Sequence, residues 1–87
     1  MTDFGVEYSD LRDMQRWGRL YAKYNDSTAL FEAAEYVAIA QPDEYSSLIY
    51  SWEEGVRNNC ANMHHYNRCM RDLNSSAVIL KTALKKD

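Results

Sequence analysis

The 87-residue sequence predicts an all-α fold, a small irregular helical bundle. Only three glycines and one proline interrupt the chain, so few positions break a helix. Apolar residues recur at steps of three and four, which is the spacing of one helix face. A chain of this length supports one hydrophobic core, and residues 1–87 are expected to form one domain. The pattern predicts three main helices, over about residues 9–25, 28–40 and 42–73, followed by a short C-terminal helix.

The first predicted helix starts at Ser9 or Asp10, since either residue suits an N-cap, and ends near Asn25. Gly18 lies beside its apolar face, and a glycine costs a helix about 1 kcal/mol relative to alanine. We therefore expect another backbone to approach closely at Gly18. The apolar face of this helix consists of Leu11, Met14, Trp17, Leu20, Tyr21 and Tyr24.

The second predicted helix can be capped by Asp26 or Ser27. It ends at Gln41-Pro42, because the residue before a proline is pushed out of the α region. Its alanine content predicts tight packing against a neighbouring helix. The buried stripe is expected to be Leu30, Ala33, Ala34, Val37 and Ala38.

The third predicted helix starts at Pro42, a residue favoured in a first helical turn. A seven-residue repeat then runs from Tyr45 to Leu84 and places two residues of each repeat on one helix face. Eleven of these twelve residues are apolar or aromatic, and Asn59 is the exception. This coiled-coil-like pattern predicts an uninterrupted helix to about Leu73. Asn59 is expected either to fix the register of that seam or to be partly exposed. A break is predicted at residues 74–76, because three cap-type residues in a row are poor helix interior.

Composition narrows the function classes. The formal net charge of −3 argues against a general nucleic-acid binder, which is usually basic. No apolar run approaches the roughly 18 residues of a membrane span, and the N-terminus does not have the pattern of a signal peptide. We therefore expect no membrane partner and a cytoplasmic location, which for a phage-encoded protein means the host cytoplasm.

Cys60, His64, His65 and Cys69 have the side chains that zinc prefers. On a single helix, however, Cys60 and His64 would lie on one side, with His65 and Cys69 on nearly the opposite side. The two cysteines would be about 13 Å apart, too far for a disulfide. The sequence therefore predicts free thiols, no metal site without a second element, and no cofactor.

Enzyme activity is not expected. The sequence has no glycine-rich phosphate loop and no nucleotide-binding fingerprint. The adjacent carboxylates of Glu53 and Glu54 would point in different directions on a helix, so they do not form an acid/base pair. Cys60 and His64 have the spacing of a nucleophile and a base, but nothing nearby supplies an orienting carboxylate.

Two polar ridges are candidate binding surfaces. The first helix predicts a straight basic ridge opposite its apolar face, which is either a solvated flank or a contact strip for an acidic surface. The third helix predicts a second ridge of tyrosine and arginine, the residue types enriched in binding hot spots. The basic ridge consists of Arg12, Arg16, Arg19 and Lys23. The second ridge, the Tyr50–Arg71 strip, consists of Tyr50, Arg57, His64, Arg68 and Arg71.

These observations favour a small protein-binding module or inhibitor that acts by covering a partner's surface. In size and style, though not in sequence, the chain is similar to phage or mobile-element factors such as anti-CRISPR proteins. One alternative is a nucleic-acid-binding regulator of helix-turn-helix type. Asp43 and Glu44 argue against it, because they occupy the start of the helix that would read bases. A structural homo-oligomer, such as a homodimer, is the other alternative.

Overall fold

The computed structural model describes residues 8–85, and the part of the chain it describes is helical throughout, apart from short connections. The helices are α1 (Tyr8–Tyr24), α2 (Ser27–Ile39), α3 (Tyr45–Arg57) and α4 (Met63–Lys85). A 3-10 turn over Pro42–Glu44 leads into α3. No strand occurs within residues 8–85, so the all-α prediction is confirmed.

The first two helices lie close to their predicted positions, and local hydrogen bonds explain their ends. Asn25 adopts a left-handed conformation, with φ of 57°, and its N–H donates to the Tyr21 carbonyl at 2.9 Å. The Asp26 side chain then accepts from the N–H groups of Thr28 and Ala29, at 3.0 and 3.3 Å. Of the two predicted caps, Asp26 is therefore the N-cap of α2, and Ser27 is its first helical residue.

The prediction of one uninterrupted helix over residues 42–73 is wrong, because the chain leaves the helix between Arg57 and Met63. The Asn59 side chain donates to the Gly55 carbonyl at 2.8 Å, which satisfies a backbone acceptor in the last turn of α3. The Asn62 side chain accepts from the N–H of His65 at 2.9 Å and caps the start of α4. Asn59 is partly exposed, which was the second expectation for it, and it helps to end a helix instead of setting the register of a seam.

The predicted break at residues 74–76 is also wrong, because α4 continues through them to Lys85. Leu73 and Ala77, one turn apart, are both buried, while Asn74 and Ser75 point to solvent. Tertiary packing on this face outweighs the weak helix propensity of three polar residues. The predicted third and fourth helices therefore correspond to α3 and α4, but the boundary between them lies at residues 58–62 and not at residues 74–76.

The core lies between two helix pairs. Helix α1 packs mainly on α3, and α4 packs mainly on α2. Trp52 stands at the centre, and its indole N–H donates to the Cys69 carbonyl at 3.3 Å, which joins α3 to α4. The stripe predicted for α2 is buried apart from Leu30, which is partly exposed. The largest fully buried side chains are Trp52, Met14, Leu48, Leu73, Val56 and Cys69.

Two glycines allow the backbones of α1 and α3 to touch. A Cβ added at Gly55 would overlap the Gln15 carbonyl oxygen and lie 2.8 Å from the Arg19 nitrogen. A Cβ at Gly18 would overlap the Trp52 carbonyl oxygen. The close approach predicted at Gly18 is confirmed, and the approaching backbone is that of α3.

We expect Gly55→Ala to destabilise the fold, because the clashing atoms belong to backbone and cannot rotate away. Overpacking of this kind typically costs about 1–3 kcal/mol. That cost opposes the gain of about 1 kcal/mol that alanine brings to a helix. The measurement is the free energy of unfolding in urea, followed by tryptophan fluorescence. Ser47→Ala, at an exposed position of α3, is the control, and a Gly55→Ala variant as stable as this control would contradict the close contact.

We expect Asn62→Ala to lower the free energy of unfolding by about 1 kcal/mol, because the cap of α4 is lost. Asn62→Asp should retain most of the stability, since a carboxylate also accepts the His65 N–H. Hydrogen exchange should show faster opening of the first turn of α4 in the alanine variant only. Equal exchange in both variants would mean that Asn62 does not hold the helix start.

Candidate functional site

The break between α3 and α4 assembles a cluster of two cysteines and a histidine. The ligand atoms of Cys60, His65 and Cys69 all lie within 4.8 Å of one another. His65 and Cys69 are one turn apart on α4, so they share a face. Cys60 lies in the 58–62 connection, which folds back towards that face. We refer to these three residues as the Cys60–His65–Cys69 cluster.

This cluster corrects the arrangement expected from a single helix, in which Cys60 faced away from His65 and Cys69. Both thiols are free, as predicted, but they are near one another and not separated by several turns. His64, the other candidate, is exposed and is not part of the cluster. Helix periodicity does not give the position of Cys60 relative to α4, because that position depends on the break.

The cluster lies at the edge of the hydrophobic core, with Cys69 inside the core and Cys60 packed against it. Cys69 is fully buried, and burial together with the neighbouring Cys60 raises the pKa of its thiol to about 12. Burial also raises the pKa of the partly exposed Cys60 thiol. The N–H of Ala61 donates to His65 Nδ1 at 3.2 Å, which links the imidazole ring to the connection that carries Cys60. Both thiols are therefore protonated at neutral pH unless a cation replaces the protons.

A shallow groove opens beside Cys60, between the end of α3 and the start of α4. The Tyr66 hydroxyl donates to Glu53 at 2.6 Å, and the Arg57 guanidinium lies 3.4 Å from the same carboxylate. These contacts join the two helices across the break. The residues that line the groove are Glu53, Arg57, Cys60, Asn62, Met63 and Tyr66.

The Tyr50–Arg71 strip does not form the single ridge that one helix would produce. Tyr50 and Arg57 lie on α3, while its three other members lie on α4, beyond the break. All five residues are exposed, so they remain open to a partner. Arg57 is paired with Glu53 and Glu54 along its own helix, as Arg68 is with Asp72. Whether these residues bind a partner stays a prediction.

Asp72 joins α4 to α1 beside the strip. The Tyr21 hydroxyl donates to the Asp72 carboxylate at 2.6 Å, and Arg68 lies 4.0 Å from the same oxygen. Burial, followed by the hydrogen bond to Asp72, raises the pKa of Tyr21 to about 12. The side of α4 that carries Arg68 is therefore anchored to α1.

The basic ridge on α1 is exposed along its whole length, as predicted. Arg12, Arg16 and Arg19 line a shallow polar depression. Asp13 lies 3.3 Å from Arg16 and neutralises part of this charge. An exposed pair of this kind adds little stability. The ridge offers positive charge to solvent but no enclosed site.

A surface that the sequence analysis missed lies between α2 and the C-terminal half of α4. Ile39 is 71% exposed, Val78 62% and Leu84 58%. Leu80 is partly exposed beside Ile39 and Leu84. We call these four residues the α2–α4 surface. They belong to two mainly apolar grooves that share Ala38.

The wrong prediction of a break at residues 74–76 explains why this surface was not expected. In a separate short helix, Leu80 and Leu84 could have turned into the core. In the continuous α4 they extend the buried stripe of Leu73 and Ala77 past the point where α2 ends. Ile39, the last residue of α2, stands opposite them.

Searches against protein-family models, curated proteins and solved structures find no match to this chain. Within residues 8–85, no helix combines the length and apolar character needed to cross a membrane.

We expect Tyr21→Phe to lower the free energy of unfolding at pH 8 by about 1–2 kcal/mol, because Asp72 loses a buried donor. The native pKa of Tyr21 is about 12, above the ordinary value of 10.0. Its contribution is therefore complete below pH 10 and is lost as the pH rises towards 12. Urea unfolding at stepped pH should show the two proteins converging over that interval. Tyr24→Phe, on an exposed tyrosine of the same helix, should match wild type throughout, and a constant Tyr21→Phe deficit would contradict the assignment.

Proposed function

We propose that this protein is a non-enzymatic binding module that docks on another protein through the α2–α4 surface. The observation that carries the proposal is the exposure of Ile39 and Leu84, which line one groove and are each more than half open to solvent, with the exposed Val78 in the adjoining groove. Large apolar side chains that gather in one exposed area are typical of interaction sites. Isolated apolar residues on a surface carry no such meaning.

The shape of the surface suits a partner that inserts apolar side chains between two helices. One groove has a volume of about 360 Å³ and lies between the ends of α2 and α4. Polar groups stand at the edges, with Glu35 beside this groove and Lys81 beside the other. The Lys81 ammonium donates to the Tyr45 hydroxyl at 2.6 Å, which fixes part of the edge. An apolar centre with a polar edge is the usual anatomy of a protein interface.

Docking here would act by steric occlusion, because the bound chain would cover the partner's surface without a chemical step. A protein of 87 residues that covers an apolar patch on an enzyme is an inhibitor if that patch serves substrate or partner binding. A phage or mobile-element inhibitor such as an anti-CRISPR protein is one form of this proposal. In that form the protein would act in the host cytoplasm.

The Tyr50–Arg71 strip is the competing docking surface on the same molecule. Two of its arginines, Arg57 and Arg68, are paired with acidic neighbours, whereas Ile39, Val78 and Leu84 of the α2–α4 surface are open to solvent. Burying an apolar side chain gains free energy without breaking an existing ion pair. For this reason we propose the strip as the second candidate docking surface and the basic ridge as an accessory contact.

A homodimer is the alternative that the same surface favours, because a second copy could cover it. A nucleic-acid regulator is less consistent with the structure. Asp43 and Glu44 stand in the 3-10 turn that leads into α3, where a base-reading helix would present donors to DNA.

The experiment compares partner capture by two variants of the full chain. We expect Ile39→Ser with Leu84→Ser to reduce capture from a lysate of the native source at least tenfold, which corresponds to about 1.4 kcal/mol. Thermal stability should change little, since both residues are exposed. The matched control is Tyr24→Ser, which removes an exposed apolar side chain from outside the surface.

Three outcomes separate the alternatives. Loss of capture in the Ile39/Leu84 variant alone supports the α2–α4 surface. Loss only when Tyr50, Arg57 and Arg71 are replaced by alanine assigns docking to the strip and overturns the proposal. A concentration-dependent dimer in sedimentation velocity, dissolved by the Ile39/Leu84 variant, identifies a second copy as the partner.

A further inference from the structure

The Cys60–His65–Cys69 cluster has the composition and spacing of a metal site. Two sulfurs and one imidazole nitrogen lie within 4.8 Å of one another. In a tetrahedral zinc site the metal–ligand bonds are about 2.0–2.3 Å long, which places neighbouring ligand atoms about 3.3–3.8 Å apart. The three groups therefore need to move by less than about 1 Å each to share one ion.

The backbone already holds two of the three ligands on a rigid element. His65 and Cys69 are four residues apart on α4, the spacing at which two helical side chains bind one ion together. The carbonyl of Cys69 accepts the Trp52 indole N–H at 3.3 Å, so this turn of α4 is fixed in the core. Only Cys60 is carried by a non-helical connection.

That connection is fastened on both sides of Cys60. Asn59 is tied to the end of α3 through the Gly55 carbonyl, and Asn62 caps α4 through the His65 N–H. The Ala61 N–H also donates to Nδ1 of the His65 ring. An ion at Nδ1 would replace this amide donor. An ion at Nε2 would require the ring proton to move to Nδ1, which would also break the hydrogen bond from the Ala61 N–H. Either exchange is local and leaves both helix ends in place.

Charge balance selects a divalent ion with affinity for sulfur. When such an ion binds, the thiols of Cys60 and Cys69 release their two protons to solvent. Two thiolates and one neutral imidazole then give a site with no net charge around a divalent cation. A neutral assembly suits a site in which Cys69 is fully buried, because an uncompensated charge there would be costly. Zinc fits this ligand set, whereas magnesium and calcium prefer oxygen.

We propose that Cys60, His65 and Cys69 bind one zinc ion that fastens the 58–62 connection onto α4, with water in the fourth position. The ion would hold the fold together, because it joins the end of α3 to the start of α4, and its fourth position would stay open to water, as in zinc sites with three protein ligands. It would stabilise the fold in proportion to its binding, since it binds only the folded arrangement. This inference does not depend on the proposed docking function, because the α2–α4 surface lies at the other end of α4.

The test uses the reduced full-length chain, titrated with Co²⁺ as a spectroscopic substitute for zinc. We expect one equivalent to produce thiolate-to-cobalt charge-transfer absorption and the visible bands of tetrahedral cobalt. Added Zn²⁺ should abolish these bands. Zinc should also raise the thermal midpoint of the chain, and elemental analysis should find one zinc per chain after removal of excess metal.

Adjacent histidines provide a matched pair of variants. His65→Gln and Cys60→Ser should weaken cobalt binding by more than the roughly 10–100-fold that loss of an outer-shell partner causes. His64→Gln changes an exposed histidine next in sequence and should bind like wild type. Neither Cys60 nor His65 is fully buried, so both variants are expected to fold, and circular dichroism checks this.

Several results would overturn the proposal. These are an absence of tetrahedral cobalt bands in the reduced protein, equal binding by His65→Gln and His64→Gln, or a zinc-induced stabilisation that persists in Cys60→Ser. A chain two hydrogens lighter in mass, with Cys60 joined to Cys69 and no metal binding after reduction, would identify the pair as a disulfide instead.

Discussion

The contact of the α1 and α3 backbones at Gly18 and Gly55 is the constraint on which the rest of the fold depends. Side chains normally keep helix axes 8–10 Å apart, and glycine at both sides of a crossing removes that spacer. Carbonyl oxygens of one helix then lie against the other helix. Two glycines lower the intrinsic stability of their helices. The close packing of α1 on α3, which no larger residue would allow, offsets this loss.

This close pair explains why a thin core is sufficient. Trp52 is fully buried on α3, and its indole N–H donates to the Cys69 carbonyl of α4. The same geometry stacks Tyr21 near Trp52, with ring centroids 5.8 Å apart, and directs the Tyr21 hydroxyl to Asp72. One large side chain therefore joins three helices, and small alanines are enough on α2.

The elements that the sequence predicted well are those whose signals are local. The cap at Asp26, the end of α2 before Pro42 and most of the apolar faces of α1 and α2 follow from neighbouring residues. Tyr24, predicted on the apolar face of α1, is 63% exposed. The break at residues 58–62 was missed because the seven-residue repeat runs through it: Val56 and Leu73 are buried on either side. A local signal was present all the same, since Gly55, Asn58, Asn59 and Asn62 fall within eight residues.

The candidate sites were harder to predict, because both arise from tertiary structure. The position of Cys60 relative to His65 depends on how the chain turns, and no helical wheel contains that turn. The exposure of Leu84 depends on where α2 ends beside α4, which is a matter of relative length. The exposed basic ridge on α1, by contrast, follows from helix periodicity alone, and its four residues are exposed in the structure as that periodicity predicts.

The two ends of α4 have separate roles in this arrangement. Its first turns, with His65 and Cys69, are held by the α3 connection and by Trp52. Its last turns, with Leu80 and Leu84, run beyond α2 and expose apolar side chains. Fifteen residues separate Cys69 from Leu84, which is about 22 Å along a helix. Because α4 is one continuous helix, the position of its first turns fixes the direction in which its last turns project. An ion at the Cys60–His65–Cys69 cluster would therefore stiffen the support of the α2–α4 surface without touching it.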